Sequence, residues 1–91
     1  QHMKAVISVI GKDNVGIVAL VSAKCAELGA NIIDISQSVL SEYFAMIMLI
    51  DIKALQVEFT EFVDTMDQLG KANNLEIHAM HEDIFNSMHK I

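Results

Sequence analysis

Apolar positions recur along this chain with two periods, near two and near 3.6, and the switches between them mark out seven segments. Met3–Ile10 (MKAVISVI) is rich in β-branched residues and predicts a strand, with Ala5, Ile7 and Val9 on one face and Val6, Ser8 and Ile10 on the other. From Gly16 to Leu28, the residues Ile17, Val21, Cys25 and Leu28 fall at intervals of four, four and three, the stripe of an amphipathic helix. Gly29 stands where a left-handed residue would close it. Asn31–Leu40 (NIIDISQSVL) alternates again: Ile33, Ile35 and Val39 share a face with Gln37 as its one polar member, while Asp34, Ser36 and Ser38 line the other. Ser41-Glu42 makes a tight connection to Tyr43–Ile50 (YFAMIMLI), apolar at every position, which predicts a central strand covered on both faces. Leu55, Phe59, Phe62, Met66 and Leu69 predict a second helix over Leu55–Leu69, ending near Gly70. Leu75–Met80 returns to strand alternation, and Glu82–Ile91 carries Ile84, Phe85, Met88 and Ile91 as a short amphipathic helix.

The element order is β-α-β-β-α-β with a terminal helix. Right-handed crossovers fold it into an α+β, ferredoxin-like βαββαβ sandwich: a four-stranded antiparallel sheet with two helices on one face and the first and third strands central. One apolar row of the third strand, either Phe44, Met46, Met48 and Ile50 or Tyr43, Ala45, Ile47 and Leu49, then faces away from both helices. The tail helix or a second subunit must cover it. No proline, repeat or linker interrupts the pattern, so residues 3–91 read as a single domain that includes the tail helix 82–91. Gln1-His2 reads as an expression-tag remnant before a native start at Met3.

Gly11-Lys12-Asp13-Asn14-Val15-Gly16 joins the first strand to the first helix. Asp13 and Asn14 are residue types whose side-chain oxygens accept hydrogen bonds from the unpaired N–H groups of a helix start. Such a start can hold a carboxylate or a phosphate. Six lysines, no arginine and twelve acidic residues give a net charge of −6, which argues against nucleic acid and against an anionic membrane surface and favours a small zwitterion over a nucleotide. No apolar run approaches the roughly 20 residues of a spanning helix, and the composition reads as an acidic, soluble, cytoplasmic domain. A lone cysteine, Cys25, rules out an intramolecular disulfide and a cysteine-based metal cluster. The apolar fraction of 53% in so short a chain favours self-association.

The loop from Asp13 through Gly16-Ile17, followed by Gly29-Ala30-Asn31-Ile32 and carried on the same element order over Met3–Met80, resembles the ACT domain family. Asn31-Ile-Ile-Asp-Ile-Ser-Gln37 and Asp83-Ile-Phe-Asn-Ser-Met88 resemble small stand-alone members with no assigned activity. The resemblance implies a non-enzymatic regulatory module, working as a homodimer, that binds a small ligand, most often an amino acid, and acts on a regulated protein. It implies ligand contacts from Asp13, Asn14, Val15 and Gly16 of one subunit and from Asn31 and Ile32 of the other. Many members have proline where this chain has Val15, which implies a less pre-organised loop. The sheets of such dimers join side by side or pack face to face.

Other chemistry finds little footing. His78, His81, Glu82 and His89 lack metal-ligand spacing and read as surface residues, so no metal or cofactor is expected. Cys25 lies on the apolar stripe of its helix and reads as core. Ser22, Ser36 and Ser38 have no base at a recognisable spacing, so no nucleophilic catalysis is expected. Gln37 interrupts an apolar row and reads as a buried amide with a structural hydrogen bond. The competing reading is a structural or protein–protein interaction domain with no small-molecule ligand.

Overall fold

The alternation of the first segment becomes strand β1 (Lys4–Gly11), and the 3.6-period stripe that follows becomes helix α1 (Ile17–Leu28). Strands β2 (Asn31–Leu40) and β3 (Tyr43–Asp51) form a hairpin. Helix α2 (Phe59–Ala72), strand β4 (Glu76–His81) and a short helix α3 (Glu82–Met88) complete the chain. The computed structural model describes residues 3–12 and 16–88, with Leu40 described by its backbone alone. All neighbouring strands are antiparallel in the order β2-β3-β1-β4, so β1 and β3 are central as the sandwich requires.

The core lies between the sheet and the two long helices. Ala5, Ile7 and Val9 of β1, Phe44, Met46, Met48 and Ile50 of β3 and Ile77 of β4 face Ile17, Val21 and Cys25 of α1 and Phe62 and Met66 of α2, all buried. The row of β3 turned away from the helices is therefore Tyr43, Ala45, Ile47 and Leu49, half-buried along its length apart from exposed Tyr43. Helix α3 covers part of that open face. Its Phe85 is half-buried, and Phe85 and Met88 line a groove of about 540 Å³ with Ser8, Ile47, His78 and Met80. Ile84 and Met88 remain exposed.

Four details depart from the sequence pattern. First, β2 carries a bulge: Ile32 pairs with Ile50 and Asp34 with Leu49, so the ladder skips Ile33. Ile32, rather than Ile33, therefore joins Ile35 on the core face, and Ile33 stays 45% exposed. Second, Gln37 is exposed rather than buried, because the helices do not reach the hairpin half of β2, where Val39 is 66% exposed. Third, α2 starts at Phe59 and not at Leu55. The Gln56 N–H donates to the Leu28 carbonyl at the end of α1 (2.8 Å) and the Ile52 N–H to Met3 (2.8 Å), so this backbone is committed to the connection before a helix can form. Fourth, α2 runs through Gly70 to Ala72. Gly70 lets the helix lie against the start of β4, since a Cβ there would come within 2.6 Å of the Leu75 carbonyl oxygen. The turn that ends α2 has Asn74 at φ 58°, with the Leu75 N–H returning to the Gly70 carbonyl (2.8 Å).

Candidate ligand-binding site

The expected first half of the site is the connection from β1 to α1. Asp13, Asn14 and Val15 lie outside the described residues. Gly16, which is described, occupies the N-cap position at φ 75° and ψ 1°, in left-handed space. The residue at the N-cap position is therefore Gly16. The first intrahelical bond runs from the Leu20 N–H to the Gly16 carbonyl (2.9 Å). The N–H groups of Ile17, Val18 and Ala19 precede it and have no partner within the helix. No acidic side chain stands in the first turn to offset the positive end of the helix. Among the described residues, none comes within 4 Å of a Cβ built on Gly16.

The expected second half lies at the other end of α1. The Gly29 N–H donates to Ala26 (3.3 Å) and the Ala30 N–H to Cys25 (2.8 Å), with Gly29 at φ 88°, which closes the helix and turns the chain into β2. Asn31 is exposed, and Ile32 packs its side chain against the core. Asn31 pairs with Asp51, which also pairs with Lys4, whereas the loop leaves from Gly11 at the far end of β1. Seven strand steps separate these ends, about 23 Å at the usual rise. A single chain does not bring the two halves together.

At the loop end, β1, the start of β3 and the α2–β4 turn enclose a cleft of about 450 Å³. Lys12 and Lys71 stand on its rim, and Ile10, Tyr43, Leu75 and Glu76 are among its walls. The Lys12 ammonium lies 3.8 Å from a Glu42 carboxylate oxygen and 5.9 Å from the centre of the Tyr43 ring. Lys71 reaches Asp67 one turn back along α2 (3.2 Å). Tyr43, Lys71 and Glu76 were not singled out by the sequence. The available signal was topological, since antiparallel pairing carries residues 10–12, 43 and 74–76 to the same end of the sheet.

His78 is on the open face, 3.3 Å from the Glu76 carboxylate, while His81 turns inward and stacks on Phe59 with ring centres 4.1 Å apart. The two diverge, and His81 is half-buried rather than a surface residue. His89 lies outside the described residues. Among the described residues, no three His, Cys, Asp or Glu side chains are grouped to hold a metal ion. Cys25 is fully buried, and burial pushes its thiol up to about 11. Within the described residues, no helix is long and apolar enough to cross a membrane.

Residues 4–80 match the sequence model of the ACT domain. A UPF0237 protein of Listeria innocua is 49% identical over 98% of this chain and 100% of its own length. Another, from Methanocaldococcus jannaschii, is 44% identical over 97% of this chain and 98% of its own. Among solved structures, an ACT domain protein from Streptococcus pneumoniae is 45% identical, with a TM-score of 0.81 over 93% of this chain and 96% of that one. A putative glycine cleavage system transcriptional repressor is 27% identical, with a TM-score of 0.72 over 85% of this chain and 44% of that one.

Proposed function

The chain belongs to the ACT domain family, and on that footing we propose that it is a non-enzymatic regulatory module that binds a small ligand, an amino acid, at an interface between two copies. The observation that carries the reading is Gly16, a left-handed residue at the head of α1 with no other described residue packed against it, beside N–H groups that have no partner within the helix. A carboxylate placed there would accept those hydrogen bonds and meet the positive end of the helix. Asp13, Asn14 and Val15 flank this position in sequence and complete the loop half of the site. Asn31 and Ile32 of the second copy supply the other half, because about 23 Å of sheet separates the two within one chain. Family members of this kind are typically regulatory and ligand-binding, which supports a homodimer acting on another protein. A cytoplasmic setting fits a chain whose one thiol is free and buried.

Thermal unfolding in the presence of each of the twenty amino acids tests the reading. A ligand at one hundred times its Kd adds about 2.7 kcal/mol to the folded state, and sedimentation of the same samples should return a dimer. A flat response to all twenty, or a clean monomer at micromolar concentration, defeats it. Exposed Ile84 and Met88 on α3 favour the rival reading, a protein–protein interaction domain with no small-molecule ligand. That reading gains if a stable partner is captured and no amino acid shifts the melting temperature.

A further inference from the structure

In an acidic chain with only six lysines, two of them line one concavity. Lys12 at the end of β1 and Lys71 in the last turn of α2 both line the cleft, and Glu76 is the one acidic residue among its described lining. Glu76 lies within 3.3 Å of His78 on the open face. The other carboxylates near the two ammoniums hold them loosely. The Lys12–Glu42 pair is 3.8 Å long with both side chains mostly exposed, and the Lys71–Asp67 pair is an exposed pair within one helix. Pairs of this kind are weak and exchange readily for a better anion. The same lining includes apolar surface from Ile10, Leu75 and Tyr43. The volume of about 450 Å³ lies within the range of small-molecule sites.

We propose that this cleft binds a small carboxylic acid, with its carboxylate groups taken by Lys12 and Lys71 and its carbon body laid against Ile10, Leu75 and Tyr43. The site is complete within one chain and uses none of Gly16, Asn31 or Ile32, so it stands apart from the two-copy site proposed above. It gives this end of the sheet a preference for anions that the overall charge conceals. Because the ammoniums are solvent-exposed, binding falls as salt is raised.

Calorimetry and amide NMR at low ionic strength test it, with succinate and inorganic phosphate as probes on the full chain and on Lys12→Gln, Lys71→Gln and Gly16→Asn. Succinate should bind one per chain, with amide shifts centred on Gly11, Lys12, Leu75 and Glu76. Either lysine substitution should weaken it at least about tenfold, the scale of one charge-assisted contact, while Gly16→Asn leaves it unchanged. Equal succinate affinity in Lys71→Gln and the parent overturns the proposal, as does phosphate binding as tightly as succinate, which would leave the apolar walls without a role. Loss of succinate binding in Gly16→Asn alone assigns the anion to the head of α1 and also overturns it. An absence of amino-acid-induced stabilisation bears on the two-copy site and leaves this result separate.

Discussion

Helix α1 has a left-handed glycine at each end, and the two have opposite surroundings. Gly29, at φ 88°, has no room: a Cβ there would come within 2.5 Å of the Ala54 carbonyl oxygen and 3.1 Å of the Gln56 side chain. At Gly16, with φ 75°, no described residue comes within 4 Å of such a Cβ. Both need the conformational freedom of glycine, but only Gly29 also needs the missing side chain for packing. At the Gly29 end the closure of α1, the turn into β2 and the approach of residues 52–57 all meet. At the Gly16 end the backbone is left-handed as well, and no described residue packs against it. Conformation alone thus does not separate an architectural glycine from one at a candidate site, whereas the space around it does.

The contrast can be broken most severely at Gly29. Gly29→Ala combines left-handed strain with a collision against backbone that has no rotamer to retreat into, and should lose about 3 kcal/mol or more in urea unfolding. A loss below about 1 kcal/mol would mean that residues 52–57 can move away, and the closed end would not be closed. The second effect is alkaline and belongs to the same end, where the Cys25 carbonyl receives the Ala30 N–H. The thiol is raised from 9.0 to about 11 by burial. Below pH 9 it is protonated in both the folded and the unfolded chain, and the shift has no effect. Between 9 and 11 the unfolded chain releases a proton that the fold retains, so stability falls by about 2 to 3 kcal/mol over that window. Unfolding of the parent and of Cys25→Ala across pH 8–11 should show the steeper fall in the parent. The smallest effect is at the open end. Gly16→Ala should lose about 1 kcal/mol from left-handed strain alone, and Gly16→Asn about half of that or less, since asparagine tolerates this conformation. The asparagine side chain would nonetheless project from the head of α1, so Gly16→Asn should melt within about 4 °C of the parent and lose the amino-acid-induced shift. A shift of undiminished size in Gly16→Asn would place the ligand elsewhere.

Much of the architecture was legible because strand and helix periods are properties of local sequence. The rows Ala5-Ile7-Val9 and Phe44-Met46-Met48-Ile50, the stripe of α1 and the central place of β3 all follow from them. The misses share a cause, which is backbone hydrogen bonding and packing between segments distant in sequence. Leu55 keeps helical spacing with Phe59, yet the Gln56 N–H is taken by Leu28, so the helix waits until Glu58. Gln37 looked buried because alternation reports which face a residue is on and cannot report that the helices stop short of it. The candidate site was half legible. The glycine at the head of α1 is visible in sequence, but that Lys12 and Lys71 line one cleft depends on how the β1 exit and the end of α2 lie in the fold.

The bulge at Ile33 has a further consequence, one of parity. Strand β2 is anchored at one end by the closure of α1 and at the other by the Ser41-Glu42 turn, and each anchor fixes which side of the sheet its adjoining residues face. Counting by twos from the hairpin places Ile35 inward and would place Ile33 inward as well, with Ile32 outward. Counting from Gly29-Ala30 places Ile32 inward and Asn31 outward. The two counts disagree by one, and Ile33 is the residue that absorbs the difference. Drawing Ile33 into the ladder instead would leave one anchor out of phase with the other, and either Asn31 would turn beneath the helices or the hairpin would present Asp34 and Ser36 to the core. A single unpaired residue thus keeps the two halves of an edge strand in step and holds Asn31 on the open side of the sheet.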